Sequence, residues 1–274
     1  MIGSRGGGGI ATHINELSKQ LEAHGNTVTL VSPAHLAPPL AVARYVKKLA
    51  VGCDIVHVHG SYEITALVAG LITTRALGGG VVYTTHGTGS RYWHPGKRWG
   101  GLWRESAKHV DVIISVSEFV RRRLVQILGE NPPGHCTIYN GVDTDFFSPL
   151  EDSTMAKDTL SVSGKYVLLY LGRLASFKGI SYLLRAMPSL KDDIRDVTLL
   201  IAGRGELEGE LRDEAAKLGV SDVVEFRGYV PQELLPTYYG ASDIVVVPST
   251  HEVGGIVPLE AMLKPWGRLT AENV

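Results

Sequence analysis

Two glutamates eight positions apart, in Glu252-Val-Gly-Gly-Ile-Val-Pro-Leu-Glu260-Ala-Met, are the residues of this chain best placed to do chemistry together. The apolar run ending at Pro248 predicts a strand before them, and a helix begins inside the motif, so Glu252 falls in the turn and Glu260 on the helix. An ionised carboxylate has two oxygens able to accept from a vicinal diol. The glycines between the two let backbone N–H groups at a helix N-terminus approach an anion. This spacing suits an elongated ligand with hydroxyls at both ends and a diphosphate between them, which describes a nucleotide sugar. A plainer reading makes Glu260 a solvated helix residue paired with Lys264 at i,i+4, worth roughly a few tenths of a kcal/mol.

A second group favours the first reading. Gly172-Arg173-Leu174 follows the predicted strand Val167 to Leu171, and Lys178-Gly179 opens a helix five positions after the arginine. Arg173 can hold a diphosphate in a bidentate fork and Lys178 as a point charge. Alone, they would read as two solvated cations. Gly203-Arg204-Gly205 ends the next predicted strand, and the glutamates lie downstream.

The elements that must position these residues alternate along the whole chain. Val28–Val31, Ile55–Val58, Val81–Thr84 and Val112–Val116 read as buried parallel strands in the first half, and Val167–Leu171, Val197–Ile201, Val223–Phe226 and Ile244–Val247 in the second. Between them Ile180, Leu183, Leu184, Met187 and Leu190 recur at helical spacing. The alternation predicts an α/β protein with open, mostly parallel, doubly wound sheets. Phe147-Ser-Pro149-Leu150 and the polar run Glu151 to Thr159 read as a linker between domains spanning 1–150 and 151–274. In such sheets ligands bind beyond the carboxyl ends of strands, where all the candidate residues fall.

Composition bounds the function. The chain has 274 residues, 44% hydrophobic, with a formal net charge of -1. It is long enough for two cores, and near-neutrality gives no field to attract nucleic acid. Cys53 and Cys136 stand at no metal-ligand spacing and read as reduced, partly buried residues of a cytoplasmic protein. The N-terminus lacks a signal peptide's apolar stretch, and the run Ile64 to Ile72 is too short to span a bilayer.

Taken together, the motifs resemble the retaining glycosyltransferases of family 4, which have the GT-B fold of two Rossmann-like domains facing a cleft. The resemblance rests on Gly8-Gly9-Ile10-Ala-Thr-His13, Thr85-His86-Gly87, Asn140-Gly141-Val142-Asp143 with Phe147 and Pro149, Gly172-Arg173-Leu174 with Lys178-Gly179, Ala202-Gly203-Arg204-Gly205, and Glu252 to Glu260. It implies transfer of a hexose from a UDP- or GDP-sugar to an acceptor hydroxyl with retention of configuration. Arg173 and Lys178 would neutralise the departing diphosphate. Glu260 would bind the ribose and Glu252 the transferred sugar, with Gly255, Ile256 and Val257 offering backbone N–H groups to the donor. The family's pattern prefers an aromatic where this chain has Gly254. Gly9, in the glycine turn before the first helix, would lie beside donor or acceptor, and His86 would face the reacting sugar from the first domain. His13, near the face of Ile10, Ile14, Leu17 and Leu21, reads as a packing residue.

The resemblance calls for no metal or cofactor, since arginine and lysine serve where other transferases use a divalent ion, and no Asp-X-Asp is placed for a nucleotide-bound cation. The acceptor would be a glycan, a lipid-linked species or a small molecule held by the first domain. Arg91 to Arg104, with three of the four tryptophans, reads as a loop cluster, an acceptor-stacking surface or a weak peripheral membrane contact. Against the family's pattern both ends are short, with no apolar strand before the first glycines and no final strand and helix after Met262. That leaves two alternatives to transfer: a catalytically impaired donor-binding fragment, or a nucleotide-sugar epimerase of the same fold.

Overall fold

The computed structural model describes residues 9–31, 45, 48, 51–60, 78–87, 100–132, 134–147, 153–162, 164–252 and 254–263. The chain divides into two compact units, Met1–Asn140 and Gly141–Val274.

In the first unit α1 (Gly9–Ala23) packs on β1 (Ile55–Gly60), which begins a parallel sheet continued in chain order by β2 (Gly80–Thr85), β3 (Val112–Ser115) and β4 (His135–Thr137). Helix α2 (Gly100–Ala107) precedes β3 and α3 (Glu118–Leu128) precedes β4. The ends of α3 show why it forms there. The Ser117 hydroxyl accepts from the Val120 N–H at 3.2 Å at the start, and Gly129 closes the last turn with φ +79° and its N–H on the Val125 carbonyl. The carboxylate of Asp111, just before β3, accepts from the Val81 N–H of β2 at 2.7 Å.

Strand β4 was not expected, because three residues after a Pro-Pro-Gly run carry too little pattern to read. Conversely, of the strand expected at Val28–Val31 only Val31 makes a bridge, and Leu30 is exposed. Cys53 is exposed rather than partly buried, and Cys136 is half-buried. The tryptophan-rich segment lies outside the described residues up to the start of α2, as does Ile64 to Ile72. Among the described residues no helix is long and apolar enough to cross a membrane.

The second unit contains α4 (Ser153–Thr159), β5 (Tyr166–Leu171), α5 (Ile180–Asp193), β6 (Val197–Ala202), α6 (Glu208–Lys217), β7 (Val224–Gly228), α7 (Leu235–Ala241), β8 (Ile244–Val245) and α8 (Ile256–Met262). Its strands are parallel in the order β7-β6-β5-β8. Period-two alternation sends Leu199 and Ile201 of β6 into one core with Ile180, Leu183, Leu184 and Met187 of α5 and Leu211 of α6. Leu200 and Ala202 go to the opposite core with Tyr238 and Tyr239 of α7 and Ala261 of α8. Helices thus cover both faces, as the alternation of elements required.

The segment read as a linker is partly built into this unit. Phe147 is buried in its core, and Ser153–Thr159 is helix packed against α7. Lys157 of that helix reaches Asp243 at 3.0 Å, and the same Asp243 carboxylate accepts from the Val167 N–H of β5 at 2.7 Å. Upstream, the Asp143 carboxylate accepts from the backbone N–H groups of Asp145 and Phe146, folding the Asn140-Gly141-Val142-Asp143 motif into a turn.

Candidate functional site

In the second unit the strand order reverses at β5: β6 and β7 extend the sheet to one side and β8 lies on the other. Such a reversal leaves a crevice outside the carboxyl ends of the two strands that flank it. The residues leaving β5 are Gly172, Arg173 and Lys178, and those leaving β8 run through Pro248 to Glu252.

The two segments meet. Lys178 Nζ and Glu252 Oε2 are 2.6 Å apart, with the Ser249 hydroxyl donating to the same oxygen at 3.2 Å. Backbone contacts hold the approach: the Thr250 N–H and its hydroxyl both donate to the Phe177 carbonyl, at 3.0 and 3.1 Å. Gly179 permits it, since its φ is +68° and a Cβ there would lie 1.9 Å from the Pro248 carbonyl oxygen. A second close approach joins the ends of β5 and β6, where a Cβ on Gly203 would stand 1.8 Å from the Gly172 carbonyl oxygen. The glycines at the strand ends therefore bring backbone, with Arg173 and Arg204 attached, to one rim.

Arg173 is exposed, with its guanidinium 3.1 Å from Glu206. That pairing, and hydrogen bonding to its own backbone before it, hold the Glu206 carboxyl below the usual range. Arg204 is exposed too, its carbonyl accepting from the Leu174 N–H at 3.0 Å. Beneath Arg173, the buried Tyr170 hydroxyl donates to the Arg173 carbonyl at 2.8 Å. Burial, and then the negative field of Glu252, push that phenol well up.

Glu260 does not project to solvent from α8. It is 5% exposed and accepts from the Tyr239 hydroxyl of α7 at 2.5 Å, while Phe147 packs edge-on against Tyr239. Burial raises the Glu260 carboxyl above its ordinary value, opposed by the Tyr239 hydrogen bond. Gly255 caps the start of α8 in extended backbone and, being glycine, gives no side-chain cap to the N–H groups that follow, beginning with those of Ile256 and Val257. Sequence reasoning missed Tyr239, Ser249 and Glu206, none of which belongs to a recognisable spacing.

His86 does not stand open at its strand end. It is buried, its Nε2 3.2 Å from Nδ1 of His59, and its backbone N–H donates to the Gly60 carbonyl at 3.3 Å. His13 is more than a packing residue: its ring lies edge-on to His86 at 4.7 Å between centroids and 5.4 Å from His59. His57 stacks on His59 at 4.0 Å and meets the Thr84 hydroxyl at 2.7 Å. Burial, and then the repulsion of neighbouring positive charge, lower these imidazoles, His57 to about 4 and His86 to about 3. His13 and His59 are lowered for the same first reason. The signal for this cluster was His57-Val58-His59, two histidines at strand spacing and so on one face. Gly9 is the exposed first residue of α1.

Residues 152–263 match the family described as Glycosyl transferases group 1, and residues 33–146 match Glycosyltransferase Family 4. The chain belongs to the family 4 glycosyltransferases. It is 32% identical over 180 residues to an uncharacterized glycosyltransferase of Methanocaldococcus jannaschii, a match covering 60% of this chain and 46% of that protein. It is 28% identical over 227 residues to the 2-deoxystreptamine glucosyltransferase of Streptomyces kanamyceticus, covering 77% and 57%. A GDP-mannose-dependent alpha-(1-6)-phosphatidylinositol monomannoside mannosyltransferase of Mycolicibacterium smegmatis is 32% identical over 172 residues, covering 58% and 43%. This glycosyltransferase chain thus spans about half the length of these relatives. Among solved structures, Anabaena HepE in complex with UDP and glucose superimposes with a TM-score of 0.77 at 21% identity, over 96% of this chain and 78% of that one. Sucrose-phosphate synthase from Thermosynechococcus elongatus gives 0.76 at 21%, over 95% and 75%. At such identities the likeness shows the fold, which is GT-B.

Proposed function

We propose that this chain binds a UDP- or GDP-sugar through its second unit and transfers the hexose to an acceptor hydroxyl with retention of configuration. The observation that carries the reading is the Lys178–Glu252 contact, made across 74 residues at the point where the strand order reverses. It puts a cation suited to a phosphate beside a carboxylate suited to sugar hydroxyls, with Arg173 on the same strand end. On transfer the bond from the anomeric carbon to the diphosphate breaks and its electrons leave on the phosphate oxygen, while the acceptor oxygen bonds to that carbon and gives up its proton. Arg173 and Lys178 stabilise the charge that develops on the leaving group, so no divalent ion is called for there. Glu260 takes the ribose hydroxyls, Glu252 the sugar, and the backbone from Gly255 to Val257 lies along the donor between them. The acceptor, a glycan, a lipid-linked species or a small molecule, is the business of the first unit. Both nucleotides are in keeping with relatives and neighbours, one of which is GDP-mannose-dependent and another of which holds UDP.

The test is a donor panel. UDP, GDP and ADP, free and as glucose or mannose conjugates, are titrated against the melting transition of the untagged chain. A ligand at a hundred times its dissociation constant adds about 2.7 kcal/mol to stability. One nucleotide class should raise the transition. Anomeric analysis of the product, or of the sugar released by slow hydrolysis, then reports configuration. No shift with any nucleotide removes the reading; a shift without transfer or hydrolysis leaves donor binding alone, and an altered sugar on the nucleotide makes the chain an epimerase.

A further inference from the structure

The first unit carries a histidine cluster separate from the donor residues of the second unit. His59 and His86 come from the carboxyl ends of adjacent strands β1 and β2, and His13 reaches them from α1. One ring nitrogen from each lies within 4.8 Å of the other two. The contact between His59 Nδ1 and His86 Nε2 is 3.2 Å. Zinc–imidazole bonds of about 2.0–2.1 Å at the tetrahedral angle put neighbouring ligand nitrogens about 3.4 Å apart. Two of the three ligands therefore already stand at nearly the edge of a zinc tetrahedron, and the half-buried His13 offers a ring nitrogen within 4.8 Å of both. Among the described residues, Nε2 of the buried His59 has no hydrogen-bond partner, although buried polar groups are ordinarily satisfied.

We propose that His13, His59 and His86 form a site for a single transition-metal ion of the zinc class, with three imidazoles as ligands and a fourth position open to water or an anion. The donor set selects the metal. It contains no carboxylate, which excludes calcium and magnesium, whereas imidazole suits zinc, cobalt, nickel and copper. Burial keeps the rings in the neutral form that a metal requires. The bland account of the same geometry is an imidazole–imidazole hydrogen bond inside a polar patch, which would take up no metal, so the titration below tells the two apart. If His86 faces the transferred sugar, as the proposed function has it, an ion on its ring would also make zinc an inhibitor.

The experiment uses the full chain without a histidine tag, titrated with Co2+ as a spectroscopic stand-in and then with Zn2+ in competition, in the absence of any nucleotide. The expected result is uptake of one equivalent, with the intense visible bands of four-coordinate cobalt, displaced by one equivalent of zinc. His13→Gln and His86→Gln should each abolish those bands while the chain keeps its melting transition, and His24→Gln, just beyond α1, should leave them unchanged. His59→Gln is informative only if it folds, so the other two variants carry the test. No stoichiometric uptake, the weak spectrum of six-coordinate cobalt, or bands that survive in both His13→Gln and His86→Gln would overturn the site. Because no donor is present, any of these outcomes leaves the nucleotide-sugar reading as it stood.

Discussion

Glu260→Gln separates a ligand-binding carboxylate from a structural one, and the two roles predict opposite signs. The substitution keeps the shape of the side chain and an oxygen to accept from Tyr239, removing only the charge. In the folded chain burial raises the Glu260 carboxyl above its ordinary 4.5. The folded state therefore binds more protons than the unfolded one between 4.5 and the raised value. Stability falls as pH rises through that window and stays lower above it. Each tenfold change in proton affinity is worth about 1.4 kcal/mol, and for a chain of this size each kcal/mol moves the melting temperature by about 2–4 °C. The glutamine variant, which has nothing to ionise, should melt higher than the parent at pH 7 and level with it near pH 4. Nucleotide affinity should go the other way: losing a hydrogen bond from ribose hydroxyls to a charged group costs about 1.5–3 kcal/mol, or roughly ten- to 150-fold in Kd. The assays are calorimetric melts at both pH values and titration with free UDP and GDP. A variant that melts lower at pH 7 yet binds nucleotide like the parent would refute the reasoning and make the Glu260 charge part of the fold's own network.

Four further predictions follow from the same geometry. Tyr239→Phe removes the donor on Glu260 and should cost about 1–3 kcal/mol of stability at pH 7, less near pH 4 where the carboxyl is protonated, as melts at the two pH values would show. Arg173→Ala should leave the melting temperature unchanged, because its partnership with Glu206 is exposed, while weakening UDP or GDP binding about tenfold or more in titration. A double-mutant cycle on Lys178→Ala and Glu252→Gln should give a coupling of about 1 kcal/mol or less in the free chain, since both groups keep partial solvent contact. That coupling should vanish in chain saturated with donor, where the lysine turns to phosphate. Gly179→Ala forces a methyl against the Pro248 carbonyl at φ +68°; it should destabilise by about 1–3 kcal/mol and weaken the nucleotide-sugar complex, both measurable by donor-dependent melts.

Much of the second unit was readable because its signals are local. The spacing of Ile180, Leu183, Leu184 and Met187 states a helix with one apolar face, and the β-branched runs between turn residues state strands, whatever surrounds them. Glycines such as Gly179 and Gly203 mark places where backbone meets backbone, and the order of motifs identified the family. What the residues do to one another was not local. Lys178 and Glu252 were each read as free to hold a ligand, yet they neutralise each other, because crossover connections place strands distant in sequence side by side.

Glu260 shows the same limit, since its helical position was legible but the face it presents was set by Tyr239, 21 residues away on α7. The histidines show it most plainly. His13, His59 and His86 come from three separate elements, and sequence could offer only the strand spacing of His57 and His59. Parallel pairing of β1 with β2, and the packing of α1 against β1, brought their rings to within hydrogen-bonding and ligand distance. A chain states its periodicity and turn chemistry residue by residue, whereas the partners of a charged or titratable side chain are fixed by sheet register and by which helix covers which face, and those follow from the packing of the whole unit.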